Sequence, residues 1–262
     1  MVSSTASAGP MMSFRNFSLR CDKSDPQVSF QVPWNWDLDK AKRIAVITNS
    51  PFLRYQLSAS IAGLLPPFSG ELLSNGVIGW PVGGEGGLDS KLRVSHAVNF
   101  LSTIYSDCLE QSRVSMDQFW DLLYGMEIHP TLVIKDLSKE QKSYFFLALS
   151  VVFSFDFYLV PRTKYLMSKP AKPLRELLLR QVEGKTLIST STNGRFQNEF
   201  CTDGLVLGAM GQILFYGELT DAVKWADQNI QISSTSDSDD DQFEIGLNLR
   251  NTEASGDHDD FV

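Results

Sequence analysis

Apolar and polar residues follow one another in this chain in patterns that predict short strands, each leading into a helix. Residues 44–47, IAVI, form a continuous apolar run, which predicts a buried strand. Leu57, Ile61 and Leu64 then recur at helical spacing, and the prolines in the following LLPPFSG are expected to end that helix. Between this strand and this helix we expect a tight connection over residues 48–56, TNSPFLRYQ.

The second half of the chain repeats this alternation. Apolar runs at residues 157–160 and 186–190 predict two further buried strands, with a helix over residues 173–184 between them. Residues 204–217 predict a hairpin, and residues 219–228 predict an amphipathic helix after it.

The first half adds strands of a different kind and a helical stretch. Residues 14–19, 28–32 and 77–82 predict short strands, and residues 92–123 carry apolar residues at helical spacing. Strands that alternate with helices indicate an α/β fold with a largely parallel sheet, to which the early strands add an antiparallel part.

Two Ser-x-x-Gln sequences in this chain are typical of helix starts. Ser115 precedes Gln118 and Ser138 precedes Gln141, and each pair has the spacing of a capping box. We therefore expect one helix to begin after Ser115 and another, running through the aromatic segment 139–155, to begin after Ser138.

The negative charge of the chain is concentrated at one end. Of its 31 acids and 23 bases, nine acids and one base fall within residues 231–262, so residues 1–230 contain 22 of each. A neutral body argues against nucleic acid as a partner. The composition predicts disorder for residues 1–13, a domain over residues 14–230 and an acidic disordered tail over residues 231–262.

The cysteines and histidines show no pattern of a metal site or a disulfide framework. Cys21, Cys108 and Cys201 are far apart and odd in number, which fits packing roles in a reducing cytosol. We expect no metal, no secretory signal and no membrane-spanning helix, since the longest apolar runs are shorter than the roughly 20 residues that a span requires.

A strand, a tight connection and a helix form the setting of a phosphate-binding loop, but the residues in this connection are unsuited to that chemistry. Such a loop needs glycines that turn backbone N–H groups inward, a Lys for the phosphates and a Ser or Thr for Mg²⁺. Residues 48–56 contain no glycine, and Pro51 removes one backbone donor. Arg54 and Tyr55 stand where Lys and Ser would be expected.

The order of these parts resembles the nucleotide-binding subunit of ABC transporters over residues 14–230. IAGLLPPFSGEL resembles the segment that follows the phosphate loop of that family, and GLVLGAMGQILFYGELTDAV resembles its C-terminal hairpin and helix. VIGWPVGGEGGL and LSVVFSFDFYLV resemble most closely the ATPases of capsular-polysaccharide and related surface-glycan exporters. The resemblance implies a P-loop NTPase-like α/β core with an antiparallel β subdomain and a helical subdomain around residues 92–137.

The resemblance also locates the catalytic motifs of the family, and none of them is intact. In the phosphate loop the two glycines fall at Thr48 and Leu53, the Lys at Arg54 and the Ser or Thr at Tyr55. Arginine keeps the charge but not the compact ammonium, and a tyrosine is too bulky to hold Mg²⁺ beside a phosphate.

The remaining motifs are changed in the same way. The glutamine that senses Mg²⁺ and the γ-phosphate falls near Asp89, and the signature turn becomes residues 138–141, SKEQ. The Asp and Glu that end the second catalytic strand become Pro161 and Arg162, and the histidine after the third strand falls at about Thr192.

These substitutions predict a degenerate, non-catalytic ATPase that needs no cofactor. Phosphoryl transfer depends on positioning and charge neutralisation, while Glu140 and Asp89 add negative charge near the triphosphate. An altered pocket that binds Mg-ATP without hydrolysis is the alternative. We expect Arg54 to be a surface or salt-bridging residue rather than an anion ligand. We expect Arg162 to pair with Glu140 or Asp89 rather than to bind a substrate phosphate.

Two functions remain open from the sequence. In the first, the chain is an accessory or regulatory subunit of surface-polysaccharide export, docks on an ABC permease through residues 94–124 at the inner face of the cytoplasmic membrane, and forms a homodimer or pairs with a related ATPase. In the second, the fold serves as a soluble scaffold or binding module, and the acidic tail engages a partner. The tail itself is either a solubilising segment or a docking peptide.

Overall fold

Two β-sheets and a set of surrounding helices form the part of the chain that the computed structural model describes, residues 9–20 and 32–230. The strands are β1 (Met12–Ser18), β2 (Trp34–Leu38), β3 (Arg43–Ile47), β4 (Ser69–Ser74), β5 (Phe157–Val160), β6 (Thr186–Ser189), β7 (Asp203–Leu207) and β8 (Ile213–Glu218). The α-helices are α1 (Pro51–Ile61), α2 (Val94–Ile104), α3 (Ser106–Glu110), α4 (Met116–Gly125), α5 (Lys139–Val152), α6 (Lys172–Gln181), α7 (Gly194–Phe200) and α8 (Leu219–Asn229).

The central sheet has the strand order β5-β6-β3-β7-β8, with β8 antiparallel to its neighbour and the other strands parallel. Both faces of β3 are covered, which explains its uninterrupted apolar sequence. Ile44 and Val46 pack into one core cluster and Ala45 and Ile47 into the other, on opposite faces of the sheet. The predicted strands at residues 44–47, 157–160 and 186–190 and the predicted hairpin are confirmed.

The smaller sheet is antiparallel, has the order β2-β1-β4, and closes over the core cluster that includes α1. Phe14 contacts both Phe17 and Trp34, with ring centroids 5.0 and 5.4 Å apart. Met11 and Met12 are buried in the same cluster. The prediction that residues 1–13 are disordered is therefore wrong for residues 11–13, since apolar side chains anchor them, while residues 1–8 lie outside the described part of the chain.

Two of the predicted early strands differ from the structure. The prediction for residues 28–32 falls outside the described residues except at Val32, which belongs to no strand, and β2 begins two residues later. Residues 77–82 form one β-bridge, between Ile78 and Phe157, and the strand of this region is β4 instead. The sequence of β4, SGELLS, carries too few apolar residues for its pattern to stand out.

The helical region contains α2, α3 and α4, and it joins the rest of the protein around Trp80. The Trp80 ring lies 5.5 Å from that of Tyr105, 5.7 Å from that of Phe153 and 5.2 Å from that of Phe155. Both predicted capping boxes are present, at the starts of α4 and α5. No pattern in the sequence predicted α7, which is only seven residues long.

Asp156, directly before β5, has a structural role. Its carboxylate accepts the Val77 N–H at 3.0 Å and a hydrogen bond from Lys185 Nζ at 3.2 Å. Burial alone raises the pKa of Asp156, but these two donors outweigh burial and hold the pKa below its ordinary value. The side chain thus fastens the segment that follows β4 to the residue that precedes β6.

The two cysteines among the described residues are buried packing residues, as predicted. Burial raises the pKa of Cys108 and raises that of Cys201 to about 12, so neither thiol is poised as a nucleophile. Within the described ranges, no helix is long and apolar enough to cross a membrane, and no cluster of three or more His, Cys, Asp or Glu could hold a metal ion.

The close packing of α8 on β7 can be tested by adding a methyl group at the contact. A Cβ at Gly204 would overlap the Cβ of Ala222, and both residues are buried in the core. We expect Gly204→Ala to lower the free energy of unfolding by about 1–3 kcal/mol through overpacking, as measured by chemical denaturation. Gly125→Ala is the matched control, because its Cβ would meet nothing within 4 Å and alanine favours the helix. A neutral Gly204→Ala would contradict the observed register of α8.

Candidate functional site

The connection from β3 to α1 is much shorter than the sequence predicts. β3 ends at Ile47 and α1 begins at Pro51, so only residues 48–50 lie between them. The predicted connection over residues 48–56 is wrong from residue 51 onward, since Ser50 is an N-cap and Pro51 occupies the first turn of the helix. Both residue types favour a helix start at these positions, and together they start it early. The helix also ends at Ile61, so Leu64 lies outside it.

Four residues around the start of α1 have backbone donors that are bonded within the connection or missing. Pro51 has no N–H, the Leu53 N–H donates to Ser50 Oγ at 3.2 Å, and the Arg54 N–H donates to the Ser50 carbonyl at 3.2 Å. The Ser50 N–H itself donates to Thr48 Oγ1 at 3.3 Å. These bonds, together with Pro51, take residues 50, 51, 53 and 54 out of any run of inward-turned N–H groups that would cradle a phosphate.

Arg54 folds back onto the connection instead of extending into solvent. Its side chain is buried, with 8% of the residue exposed, and Nη1 donates to the Thr48 carbonyl at 2.9 Å. The prediction was a surface or salt-bridging residue, and the surface half of it is wrong, while the salt-bridging half stays a prediction. Arg54 reaches this position because it lies one turn into α1, where the residue faces the end of β3. Tyr55, next along the helix, is half-buried.

The residues at the glutamine and signature positions serve as caps and turn residues. Asp89 is exposed, and its carboxylate accepts the Lys91 N–H at 2.8 Å. Ser138 Oγ accepts the Gln141 N–H at 3.1 Å and so caps α5. The Glu140 carboxylate accepts a hydrogen bond from the Tyr144 hydroxyl at 2.8 Å. Each of these side chains stabilises local structure.

The residues after β5 and β6 offer hydroxyl groups and a proline where the family has acids and a histidine. Pro161 is buried, and Thr192 is exposed. Thr163, two residues after Pro161, and Ser191, directly before Thr192, share a hydrogen bond of 2.8 Å between their hydroxyl groups. The hydroxyl groups of Ser58 in α1 and Thr190 after β6 share a similar hydrogen bond of 2.7 Å. These buried hydroxyl pairs tie the carboxyl ends of the parallel strands together.

Arg162 lines a cavity of about 170 Å³ beside these strand ends. The cavity also carries Lys139 and Lys142 of α5, Lys164 after β5 and Glu85 from the connection before α2. Four cations and one acid thus surround this cavity, which we call the basic cavity. Sequence analysis found Arg162 but missed this cluster, because its members come from three segments that only the tertiary fold brings together.

Mg-ATP is the ligand that this kind of strand–loop–helix setting would take, and the residues present do not fit it. The Leu53 and Arg54 amides are bonded to Ser50, Arg54 Nη1 is turned to the Thr48 carbonyl, and no carboxylate stands at residues 161 and 162. Of the nine predicted site positions, the structure brings Thr48 and Arg54 into direct contact and places Arg162 in the basic cavity.

Comparison with solved structures assigns the fold. The chain matches the ATP-binding subunit of an ABC transporter with a TM-score of 0.62 and 15% identity, covering 91% of this chain and 99% of that one. It matches a putative metal-chelate type ABC transporter in an inward-facing conformation with a TM-score of 0.58 and 15% identity, covering 84% and 89%. The chain has the fold of an ABC ATPase subunit. The predicted fold class is confirmed.

Sequence comparison gives more specific relatives of this ABC ATPase fold. The polysialic acid transport ATP-binding protein KpsT of Escherichia coli is 28% identical over 187 residues, which are 70% of this chain and 84% of that protein. The capsule polysaccharide export ATP-binding protein CtrD of Neisseria meningitidis is 22% identical over 174 residues, 66% of this chain and 79% of that protein. No protein-family model matches the chain. The predicted resemblance to capsule-exporter ATPases is confirmed.

The contact between Arg54 and Thr48 can be tested by stability. We expect Arg54→Met to lower the free energy of unfolding by about 1–3 kcal/mol, because the buried Thr48 carbonyl loses its donor. Urea denaturation measures this change, and Arg195→Met, at an exposed residue of α7, is the matched control that should stay within about 0.5 kcal/mol of the parent. Equal stability of both variants would contradict a structural role for Arg54.

Proposed function

We propose that this ABC ATPase fold is a non-catalytic, accessory or regulatory subunit of surface-polysaccharide export. The observation that carries the proposal is the early start of α1. Because the helix begins at Pro51, the stretch that would wrap a triphosphate is helical, the N–H groups of Leu53 and Arg54 are bonded to Ser50, and Pro51 has none. This favours a protein that keeps the scaffold of the family without its chemistry.

The charges at the remaining positions support the same proposal. Catalysis of phosphoryl transfer needs groups that neutralise the phosphates and orient water, and each such contact is worth roughly 3 kcal/mol. Pro161 offers no ligand atom, and the guanidinium of Arg162 neither binds Mg²⁺ nor accepts a proton from water. One such change leaves a slow enzyme, whereas their combination removes the positioning and the charge balance together.

The relatives supply the biological setting of the proposal. KpsT is described as a polysialic acid transport ATP-binding protein and CtrD as a capsule polysaccharide export ATP-binding protein. The chain spans most of the length of both relatives, so the comparison concerns whole subunits rather than a shared fragment. We therefore assign the chain to the export of capsular or other surface polysaccharide, at the inner face of the cytoplasmic membrane.

An exposed apolar face on α2 suits contact with a permease. Phe100 and Ile104 are each 54% exposed and lie one helical turn apart, while Val98 and Leu101 of the same helix are buried in the core. Tyr124 at the end of α4 is also exposed. These residues lie within residues 94–124, the segment expected to dock, and partner contact would remove their apolar surface from water.

The second function, a soluble scaffold, is favoured by the charge of residues 231–262. Nine acids and one base in 32 residues, next to a body with no net charge, are suited to a basic partner. This function needs neither a permease nor a polysaccharide, so the identity of the captured partner distinguishes it from the first.

The absence of ATP turnover is the first expectation from the proposal. We expect the full chain to release no phosphate from Mg-ATP above background and to give no saturable heat in calorimetric titration, because no N–H cradle or metal ligand meets the triphosphate. KpsT of Escherichia coli, assayed beside it, serves as the reference protein. The Arg54→Lys variant, which restores the ammonium, should remain inactive, since the helix start at Pro51 is unchanged.

Turnover at the rate of the reference protein would overturn the proposal. Micromolar binding of Mg-ATP that Arg54→Ala abolishes would replace it by the alternative of an altered nucleotide pocket. A circular dichroism spectrum of each variant is needed as a control for folding, because Arg54 is buried.

The permease contact is the second expectation. We expect the immobilised full chain to retain an integral permease from detergent extracts of the membranes of its own source. The double variant Phe100→Ser, Ile104→Ser should lose at least about tenfold of this capture, since both side chains would leave an apolar interface. Met210→Ser, an exposed apolar residue between β7 and β8, is the matched control and should capture as the parent does.

Undiminished capture by the double variant would contradict docking through α2. A water-soluble partner that is lost on truncation after Ile230, with no permease retained, would favour the scaffold instead.

A further inference from the structure

We propose that the basic cavity beside β5 is a binding site for an acidic peptide, and that its occupant is residues 231–262 of the same chain. The basic cavity is the one lined by Lys139, Lys142, Arg162, Lys164 and Glu85, with a volume of about 170 Å³. This inference depends on neither nucleotide nor permease, and it assigns a role to a cluster that the proposed function does not use.

The basic cavity carries an excess of positive charge. Residues 1–230 contain equal numbers of acids and bases, so four cations against one acid around one cavity are a local concentration of positive charge. Lys139 and Lys142 also stand in the first turns of α5, where the helix dipole favours negative charge. An anion in the cavity would stabilise both the cluster and the start of this helix.

The lining of the basic cavity is also partly apolar. Besides the cations, buried apolar side chains line it, including Phe146, Leu147 and Leu166. A lining of cations and apolar side chains suits a ligand that combines carboxylates with an apolar side chain, and it suits a bare inorganic anion less well.

Residues 231–262 contain carboxylates beside an apolar side chain, which is the combination that this lining suits. Asp239, Asp240, Asp241 and Glu244 surround Phe243, so one short stretch supplies four carboxylates and an aromatic side chain. The net charge of residues 231–262 is −8, the charge of the whole chain. The acidic counterpart of the basic cavity is therefore encoded in the same chain.

Residues 231–262 leave the described structure at the end of α8, so the direction of this helix decides whether they reach the cavity. The start of α8 lies beside the start of β7, because the Leu219 N–H donates to the carbonyl of Thr202, the residue before β7. Ala222, one turn further along the helix, packs on Gly204 of β7. The helix thus runs along β7 toward the edge where the parallel strands end. The basic cavity follows β5 at this same edge, and α5 and α8 share one core cluster on the same face of the sheet.

The distances along this edge are short compared with the length of the segment. Three strand spacings separate β7 from β5, which is about 14 Å. The eight residues from Ile230 to Ser238 span up to about 27 Å when extended, so Asp239 and its neighbours can reach the cavity. The covalent tether also raises the effective concentration of the segment to the millimolar range, which makes weak ion pairs sufficient.

Zero-length carbodiimide cross-linking of the full chain tests this directly, because it joins a carboxylate only to an amine in contact with it. We expect Lys139, Lys142 and Lys164 to be the main lysines joined to residues 237–260, as identified by mass spectrometry. Lys224 on α8 is the control lysine, since it is exposed and is nearest to the segment along the chain. A segment without a binding site would react most with Lys224, and that result would overturn the proposal.

Variants and isotope labelling decide how the segment binds. The double variant Lys142→Glu, Lys164→Glu should lower cross-linking at the remaining Lys139 about tenfold or more, because two attractive contacts become repulsive. Lys224→Glu should leave the cross-linking at Lys139 unchanged.

An equal mixture of ¹⁴N- and ¹⁵N-labelled chains tests whether the segment binds within its own chain, and it should give only uniformly labelled cross-linked pairs. Mixed pairs would show that the segment binds a second copy and would overturn the assignment in cis.

A competing anion distinguishes the peptide from a phosphate-type ligand. Chloride and sulfate are added at matched ionic strength, with sulfate as a doubly charged substitute for a phosphate group. We expect both to weaken the cross-links to the same extent, as screening requires. Selective loss with sulfate would mean that the cavity prefers a tetrahedral anion, and this would overturn the choice of occupant.

Discussion

The start of α1 at Ser50 and Pro51 is the constraint on which the candidate site depends. Once Ser50 caps the helix and Pro51 fixes its first turn, the chain after β3 has only three residues before helical geometry begins. The side chain of Arg54 is then carried back over the end of β3, where it bonds to Thr48. A wide glycine-rich loop and this short capped connection are mutually exclusive in the same position, so the cap decides what the end of β3 can bind.

The central sheet makes that position rigid. β3 lies between β6 and β7 and is covered on both faces, so its carboxyl end has little freedom to move. The hydroxyl pair of Ser58 and Thr190 fastens α1 to the residues after β6. These contacts place the helix start, the end of β5 and the basic cavity at one edge of one sheet. Any function that uses this edge must therefore work with the polar groups that the connections present there.

Sequence reasoning predicted the buried strands, the two capping boxes and the final hairpin because each has a strong local signal. Continuous apolar runs mark strands covered on both faces, and Ser-x-x-Gln marks a helix start. It missed β4 and α7, which are short and mostly polar or mixed. It placed the start of α1 too late because it took the helix from the apolar spacing that begins at Leu57, although Ser50 and Pro51 are themselves start signals. The basic cavity could not be predicted, since its cations are close only in the tertiary fold.

The residues that stand where the resemblance locates the catalytic motifs of the family are locally consistent with the fold, and this bears on the proposed absence of activity. Active sites often hold strained backbone and poorly paired charges that lower stability. Here Ser138 caps α5, Asp89 closes a turn, and Arg54 bonds a buried carbonyl. On the proposal, such replacements favour stability over turnover, and each one makes a return to catalysis harder. The surface that remains available for function is then the exposed face of α2 and the charge of the basic cavity, and neither requires the triphosphate.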